Sequence, residues 1–211
     1  MLTTTGYLRL DWSDLVPGRP FTNPDHNVED LAHLQSMAEK LRYLLGQSST
    51  IPAQPRPYIL YLEEAGERRH RIALARPEEL LICTELMVVG FCGHKWPEAD
   101  RTPLDAADAE LLAEFMQHPH LLSYSSLEVG GGNWRNLVLF SQVQGIGHWA
   151  ISARHADAVR DLAPRYYQNI RLHNGVLPGG LMSGQELLLT RTKYYDYQDQ
   201  PVWWAVRELQ A

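Results

Sequence analysis

The chain predicts an α+β fold built on a ferredoxin-like β-α-β-β-α-β unit, and three observations carry that reading. Between Leu80 and Val176 the local patterns run strand, helix, strand, strand, helix, strand, the element order of that unit. Apolar residues recur at helical spacing after Thr102 and again from Ser152, while the stretches between are rich in β-forming residues. The run Gly130-Gly131-Gly132-Asn133 falls between two strands, where it serves as a hairpin turn. The result is an antiparallel sheet over residues 80–211, preceded by a helix-and-hairpin extension over 1–79.

Taken in order, residues 6–12 suggest a short strand and Val16 to Pro24 a Pro/Gly-rich loop. Val28, Leu31, Leu34, Ala38, Leu41 and Leu45 predict an amphipathic helix over 28–45, with Asn27 as its N-cap. Gly46 and the segment Ser48 to Pro57 end it. Tyr58 to Glu63 and Arg68 to Ala75 read as a hairpin about Ala65-Gly66. This strand–helix–strand–strand order is also that of a degenerate first copy of the later unit, without a residue-level repeat. Leu81 to Cys92 is too continuously apolar for a surface strand and is placed centrally. Thr102 then caps a helix with Pro103 at its first position and Ala107, Leu111, Leu112, Phe115 and Met116 as its buried stripe. Leu121 to Val129 and Trp134 to Gln142 are the paired strands. A second helix carries Ala156, Val159, Leu162 and Ala163 inward and is kinked at Pro164. Asn169 to Val176 closes the unit, and Glu186 to Tyr197 with Val202 to Val206 extend the sheet.

Composition narrows the function classes. A net charge of −6 with scattered lysines and arginines argues against a nucleic-acid surface. No apolar run approaches the roughly 18 residues of a membrane span, and Met1 to Leu10 lacks a secretory pattern. Cys83 and Cys92, nine positions apart in one expected strand, cannot bridge, so a reduced cytoplasmic protein is expected. The glycine run lacks the strand-to-helix setting of a phosphate loop. Ser126 and Ser141 lack a nucleophile elbow.

Strand alternation indicates a candidate site. If both helices of the unit cover one sheet face, Ile170, Leu172 and Val176 point to them and Arg171 and His173 point away. Leu137 and Leu139 face the helices in the third strand, leaving Trp134, Asn136, Val138 and Phe140 opposite. Leu121, Leu127 and Val129 do so in the second, leaving Tyr124, Ser126 and Glu128. Glu85, Met87 and Phe91 are the mixed-polarity choice in the first. The helix-free face then gathers Met87, Tyr124, Ser126, Trp134, Asn136, Phe140, Arg171 and His173, apolar walls with a few convergent polar groups.

That face, with the local look of Tyr124-Ser125-Ser126 followed by Asn133-Trp134-Arg135-Asn136-Leu137-Val138, resembles the dimeric α+β barrel superfamily, which includes antibiotic-biosynthesis-monooxygenase-like proteins. The resemblance covers residues 80–197 and is one of fold. It implies a homodimer whose helix-free faces line a ligand cavity, and a monooxygenase-like, cofactor-independent oxidation of small aromatic substrates or haem binding as activities. The long extension over 1–79 departs from it, since such a segment is able to cover the sheet.

His173 is the candidate general acid–base, with Arg171 lowering its pKa and holding an anionic oxygen. The alternative places Arg171 and His173 in a structural cluster with Glu85 or Glu128. The histidines lack metal-ligand spacing, so no metal site is expected; if haem binds, His155 or His148 is the ligand. Three readings remain: a barrel enzyme acting on an aromatic or enolisable molecule, a non-catalytic ligand-binding or structural dimer, and a haem protein. No cofactor is favoured among them.

Overall fold

The computed structural model describes residues 7–47, 55–64 and 68–209. Its strands are β1 (Leu8–Leu10), β2 (Tyr58–Glu64), β3 (Arg68–Leu74), β4 (Glu85–Lys95), β5 (Leu121–Val129), β6 (Asn133–Phe140), β7 (Tyr167–Pro178), β8 (Leu188–Asp196) and β9 (Trp203–Glu208). They join one sheet in the order β1-β9-β8-β7-β4-β6-β5-β3-β2, antiparallel except where β1 lies parallel to β9. The helices are α1 (Asp25–Gly46), α2 (Pro77–Ile82), α3 (Thr102–Glu114), α4 (Val143–Ala150), α5 (Ala153–Asp157) and α6 (Ala163–Tyr166), with a π-type turn, Ala158–Leu162, joining the last two. Among the described residues no helix is long and apolar enough to cross a membrane.

The α+β class holds, but the sheet is larger than a four-stranded unit and differently ordered. Strands from the first eighty residues extend it at both edges: β3 and β2 beside β5, β1 beside β9. The expected hairpin is the β2–β3 pair, although its turn at Ala65-Gly66 lies outside the described residues.

Both faces of the middle strands are covered. On one, Leu34, Met37, Leu41 and Leu45 of α1 pack against Val88, Leu137 and Leu139. On the other, Phe115 and Trp149 pack against Val138 and Phe140, beneath α3 and the α4–α6 run. α1 sits close: a Cβ on Gly90 would lie 2.4 Å from Leu34 Cδ1.

The helix expected over 28–45 begins three residues earlier, with the side chain of Asn23 accepting the Asp25 N–H. Asn27 is therefore inside the helix, not its cap. Val28, assigned to the buried stripe, is 70% exposed, whereas Asn27 and Asp30 are buried in its place. Cys83 does not belong to a strand with Cys92, because Pro77 starts a short helix that ends at Ile82. Both thiols are free. The helix placed near Ser152 is preceded by a separate α4, whose run 143–150 went unread because Gly145 and Gly147 weaken its helical signal. Gly145 lets α4 approach the sheet, since a Cβ there would lie 2.8 Å from Phe140 and from His120.

Candidate functional site

The face assignment made from alternation is correct for β7 and for Leu121, and inverted for β4, β6 and the rest of β5, whose register shifts between Leu121 and Ser123. Ile170 packs with Ala163 and Tyr166 on the α6 side, as expected, so Arg171 and His173 point away from α3–α6. Met87, Val138 and Phe140 pack with Phe115 and Trp149, toward the helices expected to avoid them. Leu137 and Leu139 do face a helix, but it is α1. The predicted site is thus divided by the sheet. Both parities of β6 are apolar, so alternation alone could not choose between them.

Four of the predicted residues nonetheless converge. Tyr124, Ser126, Trp134 and Asn136 form the floor of a cavity of about 430 Å³, with Tyr167 beside them and α3 as its roof. Leu104, Ala107, Leu111 and Leu112 of α3 face this space. The stripe expected to be buried is only half so: Phe115 is enclosed, Met116 is exposed, and no residue of α3 itself is buried. α3 therefore stands off the sheet, tethered by an ion pair between Arg71 on β3 and Asp108. Phe140 and Met87 do not line the cavity; they belong to the adjoining apolar cluster.

The polar groups of this cavity are partly unmatched. Ser126 donates to Asn136 Oδ1 at 2.7 Å, which leaves the Asn136 amide nitrogen as a donor. Nε1 of Trp134 and Nε of Arg71 are buried and have no acceptor among the described residues. An orphaned buried donor costs on the order of 1–3 kcal/mol, so the site favours an acceptor oxygen. The surrounding charges balance: Asp108 holds Arg71, Glu128 holds Arg69, and Asp105 holds Arg101. Arg101 also lies over the Trp134 ring, 4.3 Å from its centroid. Burial raises the Tyr124 phenol above its ordinary range, so it stays protonated.

On the opposite face, His173 and Arg171 meet Asp30 of α1, a residue not singled out from the sequence. Arg171 donates to both Asp30 oxygens, at 2.5 and 2.9 Å, and Nε of Arg135 lies 3.2 Å away. His173 Nε2 is 3.0 Å from Asp30 Oδ2 and Nδ1 is 2.9 Å from the Thr192 hydroxyl. A carboxylate only accepts, so the neutral Nε2–H tautomer donates to Asp30 while Nδ1 accepts from Thr192. Burial lowers the His173 pKa against the opposing pull of Asp30. For Asp30, the bonds from His173 and Arg171 outweigh burial and hold the carboxyl well below its ordinary range. His173 and Asp30 are both fully enclosed. The structural-cluster alternative is thus the one the geometry supports, with Asp30 rather than Glu85 or Glu128 as partner. The signal in the sequence is spacing: Asn27, Asp30, Leu34, Leu41 and Leu45 share one helical face, and polar identity hid the first two.

Ligand-type atoms of Asp30, Cys92 and His173 lie within 4.8 Å of one another. The guanidinium of Arg171 already occupies both carboxylate oxygens, and burial beside Asp30 raises the Cys92 thiol far above its usual range. That is ion-pair chemistry rather than a cation site. For haem, His148 is exposed on α4, while His155 packs on Trp149 with Nδ1 enclosed and without a hydrogen-bond partner among the described residues. Neither histidine lines the cavity beneath α3, so that cavity draws no haem ligand from this pair. Comparison with protein-family models, curated proteins and solved structures finds no match to this chain.

Proposed function

We propose that the protein binds a small, neutral aromatic molecule bearing phenolic or ketonic oxygen in the cavity between α3 and the sheet. The observation that carries this reading is the unfilled space itself. A helix with an apolar stripe normally closes onto its sheet, yet here about 430 Å³ separates Leu104, Ala107 and Leu111 from Tyr124 and Trp134. Aromatic walls, balanced charges and unmatched N–H donors then specify the ligand as planar, uncharged and oxygen-bearing. The strands β7-β4-β6-β5 with α3 and α4–α6 supply the frame, a ferredoxin-like core enlarged at both edges.

Binding is favoured over catalysis in this reading. The imidazole and guanidinium assigned to base and anion-holding roles lie across the sheet from Asn136 and Tyr124, and Asp30 engages both. A barrel-type homodimer would need a helix-free face, which α1 occupies in the middle strands.

Thermal unfolding with 2-naphthol and with 1-tetralone tests the proposal. A ligand present at a hundredfold its Kd should stabilise the native state by about 2.7 kcal/mol. Asn136→Leu and Ala107→Leu should each remove most of that gain. Absence of saturable stabilisation by either compound, or gains that survive both substitutions, would sink it.

A further inference from the structure

A second cavity, of about 390 Å³, opens on the opposite face of the sheet, beside the first turns of α1. Arg135 on β6, Cys92 and His94 on β4, and Arg171 and Asn169 on β7 line its floor. Register explains the grouping, because Arg135, Cys92 and Arg171 form one cross-strand row and His94 pairs with Asn169 in the next. His26 and Glu29 of α1 stand at its rim, 3.2 Å apart.

The buried charges here do not cancel. Two guanidinium groups share the single buried carboxylate of Asp30, and the rim carboxylate of Glu29 is exposed and engaged by His26. Cys92 stays a neutral thiol, and burial together with the two arginines lowers the His94 pKa. Donors are also left over. Asp30 takes Nε and Nη2 of Arg171, and the Trp134 carbonyl takes Nη1 of Arg135. Among the described residues, no hydrogen bond engages Nη1 of Arg171, Nη2 of Arg135 or the side chain of Asn169, although Asn169 is only 6% exposed. The positive end of α1 adds to the same potential. Planar guanidinium forks suit carboxylate and phosphate oxygens.

We propose that this cavity is a second binding site, independent of the one beneath α3, for a small organic oxyanion: a carboxylate or a phosphate monoester. Arg135, Arg171 and Asn169 hold the anion, and Asp30 fixes the Arg171 guanidinium for the task.

Isothermal titration of the full chain with inorganic phosphate, phenyl phosphate and malonate, in low-salt buffer at neutral pH, tests this. Saturable binding is expected, weakened at least roughly tenfold by Arg135→Gln and by Asn169→Ala, each of which removes donors to a charged ligand. Both variants keep the Arg171–Asp30 pair, so melting curves should show them folded. Tighter malonate assigns a carboxylate ligand, and tighter phenyl phosphate assigns a phosphate ester. Ala107→Leu, on the other face, should leave anion binding unchanged whether or not the aromatic cavity is functional. Failure of all three anions to bind saturably overturns the proposal. So does binding that survives both substitutions, or binding that is lost in Ala107→Leu.

Discussion

Removing the Asp30 carboxylate leaves Arg171 without its partner in the interior, because among the described residues both side-chain hydrogen bonds of its guanidinium go to that one side chain. Truncating one member of a buried pair typically costs about 3–5 kcal/mol, so Asp30→Ala should lose about that much in urea unfolding; a loss below about 1 kcal/mol contradicts the cluster's structural role. Acid acts on the same group. The native pKa of Asp30 is depressed, so its contribution is complete above about pH 4, where the unfolded carboxyl ionises, and is lost as pH falls further. Histidine adds an earlier stage. Burial lowers the pKa of His173, His70 and His155, so the unfolded chain binds more protons than the native one once pH drops below about 6.5. The urea midpoint should therefore fall between pH 7.5 and 5.5, with a shallower fall in His173→Gln. A midpoint flat over that range would contradict the neutral, buried imidazoles.

Among the elements, α1 and α3 make opposite predictions because one is seated on the sheet and the other is not. Gly90→Ala forces a methyl into Leu34 at a place where both are buried, and overpacking of that kind costs about 1–3 kcal/mol. Leu34→Ala should be less harmful in the Gly90→Ala background than in the parent, and strict additivity of the two would mean the contact is not shared. Ala107→Leu adds a larger side chain to α3, yet it points into space. Its cost should stay below about 0.5 kcal/mol, or become a gain, as cavity-filling substitutions often do. A penalty like that of a packed core would show that α3 closes down in solution. The existence of both helices was legible from apolar spacing, and the closeness of their packing was not. Leu111 and Leu112 have the same pattern whether they meet side chains or an empty cleft.

For the molecule as a whole, the described residues among the first eighty supply part of the sheet and part of its covering. Arg207 of β9 is fully enclosed and donates to the carbonyls of Asp11, Asp14 and Thr22 and to the Tyr194 hydroxyl, which in turn donates to Asn27 of α1. Arg207→Met should raise hydrogen exchange over residues 11–22 while leaving ligand binding beneath α3 intact; unchanged protection there would show that other contacts hold the segment. The α+β class, the long first helix and the grouping of Tyr124, Ser126, Trp134 and Asn136 on one face of their strands could be read from the chain, since turn chemistry, periodicity and strand parity are local properties. Which side of the sheet each strand's apolar set faces was not local. Leu137 and Leu139 suit a helix cover as well as Val138 and Phe140 do, and only the arrival of α1 decides that one set meets it while the other meets α3–α6. The same arrival sets Asp30 against Arg171 and His173. A charge pair spanning 141 residues is fixed by folding, because its two halves have no register with each other until the helix is seated on the strands.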